Sequence, residues 1–237
     1  MLARAMAVKP VVCRGVVPDH YRGPLYYRRL IFNFRAGKKP LERMLSFEDR
    51  ALKQRLANVS FPRAAWRNAP ELCDANGELL PELRTPLKAK MQASANRSWD
   101  EFSAHSLVLV SARIRDVIEA IAPSVHYFVP IDVADHDGGN FRVYAFYCGV
   151  TRPDTALAME ANGITRMVLA NGGQTFEPPL NCITQSDRFA YLDPAVLAGA
   201  PLLYDPMLAM LFSHELVEQL GDCMPKGEAF VPMGLLG

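Results

Sequence analysis

His214, Glu215 and Glu218 form a His-Glu-x-x-Glu run, and a helix through it would set His214 and Glu218 one turn apart on the same side. A divalent metal needs at least such a pair, and zinc hydrolases use a related spacing with a second histidine in place of the second Glu. No second histidine follows in this chain. Glu215 is equally explained as a carboxylate favoured by the positive end of a helix. A second cluster joins Asp132 to Asp135 and Asp137 around His136. It offers oxygens to a hard cation, but the Glu that closes a calcium loop at fixed spacing is missing. Asp, Gly and Asn in the run 135–140 serve a tight turn on backbone grounds alone. Gly-x-Ser-x-Gly and a phosphate-binding glycine loop are absent from the sequence, and no Cys stands with a positioned His. Asn171-Gly172-Gly173 reads as a turn, and His105 and His126 read as packed or capping residues beside strands. The residues therefore predict no catalytic group, no metal and no cofactor. The alternative is a metal-dependent hydrolase using His214 and Glu218.

The elements that would position these residues appear twice. Leu109 to Pro130 falls on Leu211 to Pro232 at one ungapped offset, with Leu109, Ser111, Pro123, Phe128, Val129 and Pro130 meeting identical residues. Each copy reads as strand, helix, proline break, strand. Ser111 and Ser213 follow apolar runs, where a hydroxyl caps the free N–H groups of a helix. Ile114, Val117, Ile118 and Ile121 recur at helical spacing, which gives one buried stripe, and Pro123 and Pro225 end the helices. The expected fold class is α+β: a central mixed or mainly antiparallel sheet with flanking helices and an internal strand-helix-strand repeat.

The helix start Val110-Ser111-Ala112-Arg113-Ile114-Arg115-Asp116, the run His126-Tyr127-Phe128-Val129-Pro130-Ile131-Asp132-Val133, the strand 143–148 and a second Phe-Ser start with a Phe-Val-Pro close together resemble the immunity proteins of bacterial polymorphic toxin systems. The group is the eleventh numbered immunity family, also known as a domain of unknown function. The likeness spans roughly residues 100–237 and rests on hydrophobic patterns. It implies a single-domain protein that binds and neutralises a cognate toxin, with no catalytic residues to carry over.

With half of its 237 residues hydrophobic, the chain can bury a full core. Cys13, Cys73, Cys148, Cys182 and Cys223 are odd in number and scattered, which argues for reduced thiols in a cytoplasm rather than a disulfide framework or zinc cage. Neither a signal peptide nor an apolar run of membrane-spanning length is legible, so no membrane partner is expected. Charge divides sharply. The first hundred residues hold 19 basic against 9 acidic side chains, net +10, and the remainder 7 against 16, net −9. One reading docks the basic part on the acidic part of the same molecule. The others are a basic surface for nucleic acid, which is disfavoured, and an acidic surface that steers in a basic toxin. For the latter, Asp132, Asp135, Asp137, Glu215 and Glu218 are the candidate contacts. The oligomeric state is not legible.

In chain order, Leu25 to Phe34 reads as a strand whose Arg28-Arg29 suggests a sheet edge. Leu41 to Asn58 reads as one amphipathic helix, and Phe61 to Lys90, with four prolines, as an ordered loop. Residues 125–133 and 141–148 form a hairpin with layers on both sides, and 164–170 with 174–176 a second turn between extended segments. A short helix after Pro194 and a strand Leu202 to Tyr204 precede the second copy. The whole, 1–237, is expected to be one domain, with a basic, family-variable part at 1–100 and an acidic, family-like part at 101–237.

Overall fold

Alternation of apolar side chains, two residues apart and buried on both faces, organises the molecule into two mixed sheets. A computed structural model describes residues 25–30, 44–60, 72–74, 76, 78–92, 103–104, 107–151, 154–170, 174–177, 190–205, 208–223 and 230–235. The strands are β1 (Leu25–Leu30), β2 (Leu45–Phe47), β3 (Leu87–Met91), β4 (Ser103–Ala104), β5 (Val108–Ser111), β6 (Tyr127–Ala134), β7 (Asn140–Tyr147), β8 (Thr165–Val168), β9 (Gln174–Glu177), β10 (Ala190–Leu192), β11 (Leu202–Asp205), β12 (Ala209–Ser213) and β13 (Phe230–Leu235). The helices are α1 (Arg50–Ser60), α2 (Pro81–Arg84), α3 (Ala112–Ile121), α4 (Pro194–Leu197) and α5 (His214–Leu220). The first sheet has the order β2-β3-β6-β7-β5-β4, the second β10-β13-β1-β12-β11, and β8 with β9 forms a separate hairpin. The fold is α+β.

Period two sorts side chains into layers. Along β7, Val143, Ala145 and Tyr147 join Leu109, Val129 and Ile131 in a core closed by Leu56 and Leu83 from α1 and α2. The intervening Tyr144, Phe146 and Cys148 join Val108 and Val110 in a second core. There they meet Ile114 and Ile118 of α3, Leu216 and Leu220 of α5, and Met210 and Phe212 of β12. Leu203, Leu211 and Met233 face the far side of the second sheet, in a third core with Leu197. The two helices are thus a shared layer between the sheets. Ile114, Ile118, Leu216 and Leu220 are fully buried, and each contributes roughly 2 kcal/mol of burial.

Both helices of the repeat start as the sequence indicates, while Pro225, expected to end the second, lies outside the described residues. The Ser111 hydroxyl accepts from Ile114 N–H at 3.3 Å and the Ser213 hydroxyl from Leu216 N–H at 3.2 Å. Two segments ahead of them differ from expectation. The single helix expected over 41–58 is interrupted: Met44 is helical, Leu45 and Phe47 alternate with Ser46 and pair as β2, and α1 starts at Arg50, where the Asp49 carboxylate accepts from Leu52 N–H at 2.8 Å. Inside the expected loop 61–90 lie α2 and most of β3, where Leu87, Ala89 and Met91 are buried and Lys88 and Lys90 exposed. β1, expected at an edge, lies between β12 and β13. Cys13, Cys182 and His105 fall outside the described residues. Among the described residues, no helix is long and apolar enough to cross a membrane.

Candidate partner-binding face

The helix layer covers only part of the first sheet. It stops at Tyr144, over whose ring the Arg115 guanidinium of α3 sits 4.4 Å from the centroid while donating to the Tyr144 hydroxyl. Beyond that point no described helix or strand covers the same face of β2, β3, β6 and β7. Register sets its side chains in rows: Lys88 stands opposite Asp132 and Asp132 opposite Arg142, while Ser46, Lys90, Ala134 and Asn140 make the next row. Arg142 donates to Asp132 at 2.6 Å, and this carboxylate raises the guanidinium pKa further. Lys90 lies 3.9 Å from Glu48. A cavity of about 570 Å³ opens over these residues. Exposed pairs of this kind add little to stability; what they provide is a fixed pattern of charge on a rigid sheet.

The β6–β7 turn rims this face. Asp135 N–H donates to the Gly139 carbonyl at 2.8 Å and Gly138 N–H to the Asp135 carbonyl at 3.2 Å. Gly138 takes φ +87°, which is why glycine occupies that corner. The Asp135 carboxylate accepts from His136 N–H at 2.7 Å, and Asp137 is exposed. The structure therefore brings Asp132, Asp135 and Asp137 to one end of one hairpin. Glu215 and Glu218 are elsewhere, on α5, which packs against α3, β1 and β12. Sequence reasoning missed Lys88 and Lys90, although their alternation with Leu87, Ala89 and Met91 was the available signal. With them the charge at this face is mixed: Lys88, Lys90 and Arg142 against Glu48 and Asp132.

The chemical candidates are spread over separate parts of the fold. His214 Nε2 lies 3.1 Å from Glu218, the histidine half-buried and the glutamate exposed, and among the described residues no group of three His, Cys, Asp or Glu side chains converges as a metal would require. Cys73, Cys148 and Cys223 are buried and form no disulfide with one another, and burial pushes the Cys73 thiol up, away from the reactive thiolate. Asp205, fully buried, accepts from Thr155 Oγ1, from Ala156 N–H at 2.6 Å and from Leu208 N–H at 2.8 Å. Its oxygens are spent on holding two loops. His126 is 5% exposed. Its Nδ1 accepts from Gly149 N–H at 3.2 Å, and desolvation lowers its pKa to about 4. Basic residues of the first hundred are partly engaged too, Arg55 with Glu82 at 3.0 Å and Arg84 with Glu78 at 2.7 Å.

A family model described as Immunity protein family (Imm11) matches residues 40–176. That span runs from ahead of β2 through the β8–β9 hairpin, and so contains the entire first sheet and its open face. It begins sixty residues before the likeness legible by eye and stops short of the second copy. Comparison with curated proteins finds no match.

Proposed function

Because the chain belongs to the immunity protein family Imm11, we propose that it is a bacterial antitoxin that binds a cognate protein toxin stoichiometrically and neutralises it by occlusion, from the cytoplasm. The observation that carries this reading is the family match over the sheet whose charged face is left open. Such a function asks for shape and charge on a rigid frame and for no reacting group. The contact surface in this proposal is the open face of β2, β3, β6 and β7 with its Asp135–Gly139 rim. Asp132, Asp135 and Asp137 meet cationic groups of the toxin, and Lys88 and Lys90 meet anionic ones.

The test begins by reading the gene beside this one for a toxin domain. Co-expression with the intact chain is expected to rescue growth, and the purified pair to form a one-to-one complex. Asp132→Asn, Asp135→Asn and Asp137→Asn together are expected to slow association and flatten its dependence on salt. Unchanged binding by that triple variant would remove the rim as a contact. Failure of the intact chain to protect would remove the antitoxin reading itself.

A further inference from the structure

The five strands of the second sheet are arranged as five of the six strands of the first, and the match extends past the repeat that the sequence shows. In the first, β5 and β6 are parallel strands joined through α3 with β7 inserted between them, antiparallel to both. In the second, β12 and β13 are joined through α5 with β1 inserted between them, antiparallel to both. The outer neighbours correspond as well. β3 is parallel to β6 and β10 parallel to β13, while β4 is antiparallel to β5 and β11 antiparallel to β12.

Register makes the correspondence residue by residue. Val143, Tyr144 and Ala145 of β7 stand opposite Ser111, Val110 and Leu109, and Tyr27, Arg28 and Arg29 of β1 opposite Ser213, Phe212 and Leu211. On the other side, Val143, Tyr144, Ala145 and Phe146 meet Ile131, Pro130, Val129 and Phe128, while Tyr27, Arg28, Arg29 and Leu30 meet Met233, Pro232, Val231 and Phe230. From Tyr27 to Leu30 every partner of β1 is the partner of β7 moved by the offset that carries Ser111 onto Ser213, and the register shifts by one residue only at Leu25, which pairs with Gly234. The handedness preference for crossover connections favours a strand-helix-strand unit in general. It does not fix the register of an inserted strand on both its edges.

We infer that the protein is a tandem duplication closed on itself, in which β1 from the N-terminal side fills, between β12 and β13, the slot that β7 fills between β5 and β6. β1 is the last strand of the second copy, displaced in sequence but not in space. The slot is a binding site for one extended strand. Leu25 pairs with Gly234, so β1 starts beside the end of β13, where in the first copy a five-residue turn joins β6 to β7.

The experiment is a circular permutant that keeps every residue: Gly237 is joined to Met1 and the chain is opened between Gly37 and Lys38, so that β1 follows β13 and is severed from β2. It is expected to unfold cooperatively with a Tm within about 5 °C of the parent, since the cost of closing a connection grows slowly with its length. A soluble permutant with no cooperative transition overturns the inference. Native-state hydrogen exchange on the unaltered chain decides the matter independently of whether the permutant is soluble. Amides of Tyr27 to Leu30 are expected to open together with those of β12 and β13 as urea is raised. Opening with β2 and β3 instead would show that β1 belongs to the strand that follows it in sequence, and the duplication would fall.

Discussion

Replacing His126 by Asn is expected to make folding stability less sensitive to acid, by an amount the structure sets. The imidazole sits at the start of β6 with its ring against Phe146, centroids 5.6 Å apart, and Nδ1 accepts from Gly149 N–H. Protonation would place a charge where desolvation opposes it and turn that acceptor into a second donor. The folded pKa is depressed to about 4, against roughly 6.5 in an unfolded chain. A depressed pKa contributes stability that is fully present above the unfolded value and is lost as pH falls toward the folded value. The window therefore runs from about 6.5 down to about 4, with roughly 3 kcal/mol lost across it and about 2 kcal/mol by pH 5. Asn can still accept from Gly149 N–H and cannot titrate. Its smaller volume costs about 1–2 kcal/mol at every pH, a term that cancels in the comparison. Urea unfolding of parent and His126→Asn at pH 7.5 and 5.0, with equal m-values as a check, is expected to show the parent losing about 2 kcal/mol more between the two conditions. Equal losses in both proteins would mean that His126 is solvated or paired in a way this geometry excludes, and the reasoning would fail.

Gly149 offers a second measurement: a Cβ there would lie 1.8 Å from the Val125 carbonyl oxygen, so Gly149→Ala must push apart the ends of β6 and β7. A loss of about 3 kcal/mol in denaturant unfolding is expected; a loss under about 0.5 would show that the backbone yields freely. Removing the buried Asp205 carboxylate with Ala strands the N–H groups of Ala156 and Leu208, and thermal unfolding should register a cost near 3 kcal/mol, while Asp205→Asn retains an acceptor and costs less. The two helix caps are equivalent in the duplicated architecture. Ser111→Ala and Ser213→Ala are each expected to cost about 1 kcal/mol, and a cost at one site with none at the other would argue against equivalent capping.

Much of the fold is local in origin and was legible for that reason. A capping Ser before an apolar stripe, a Pro after it and alternating apolar residues on either side announced β5-α3-β6 and β12-α5-β13 before any coordinates. The 135–140 run announced the hairpin between β6 and β7. Two segments carry competing local signals: the Asp49 cap that starts α1 at Arg50, and the alternation that makes β3 inside a proline-rich stretch. The face that carries the proposed function was half legible. Asp132, Asp135 and Asp137 were singled out by type and spacing, and Glu215 and Glu218 fell on a different element because residue type says nothing about which helix packs where.

The sequence by itself determined most of the strands and helices, β2 and β3 excepted, which of their faces are apolar, and that one unit recurs, since each of these depends on neighbours a few residues apart. Only the tertiary structure decided adjacency. That Lys88 stands beside Asp132, mixing the charges that the chain keeps in separate halves, and that β1 threads between β12 and β13, depend on how far-separated apolar faces fill a common core. Burial rewards apolar contact without regard to separation along the chain, so partners are chosen in space and leave no mark on either strand alone.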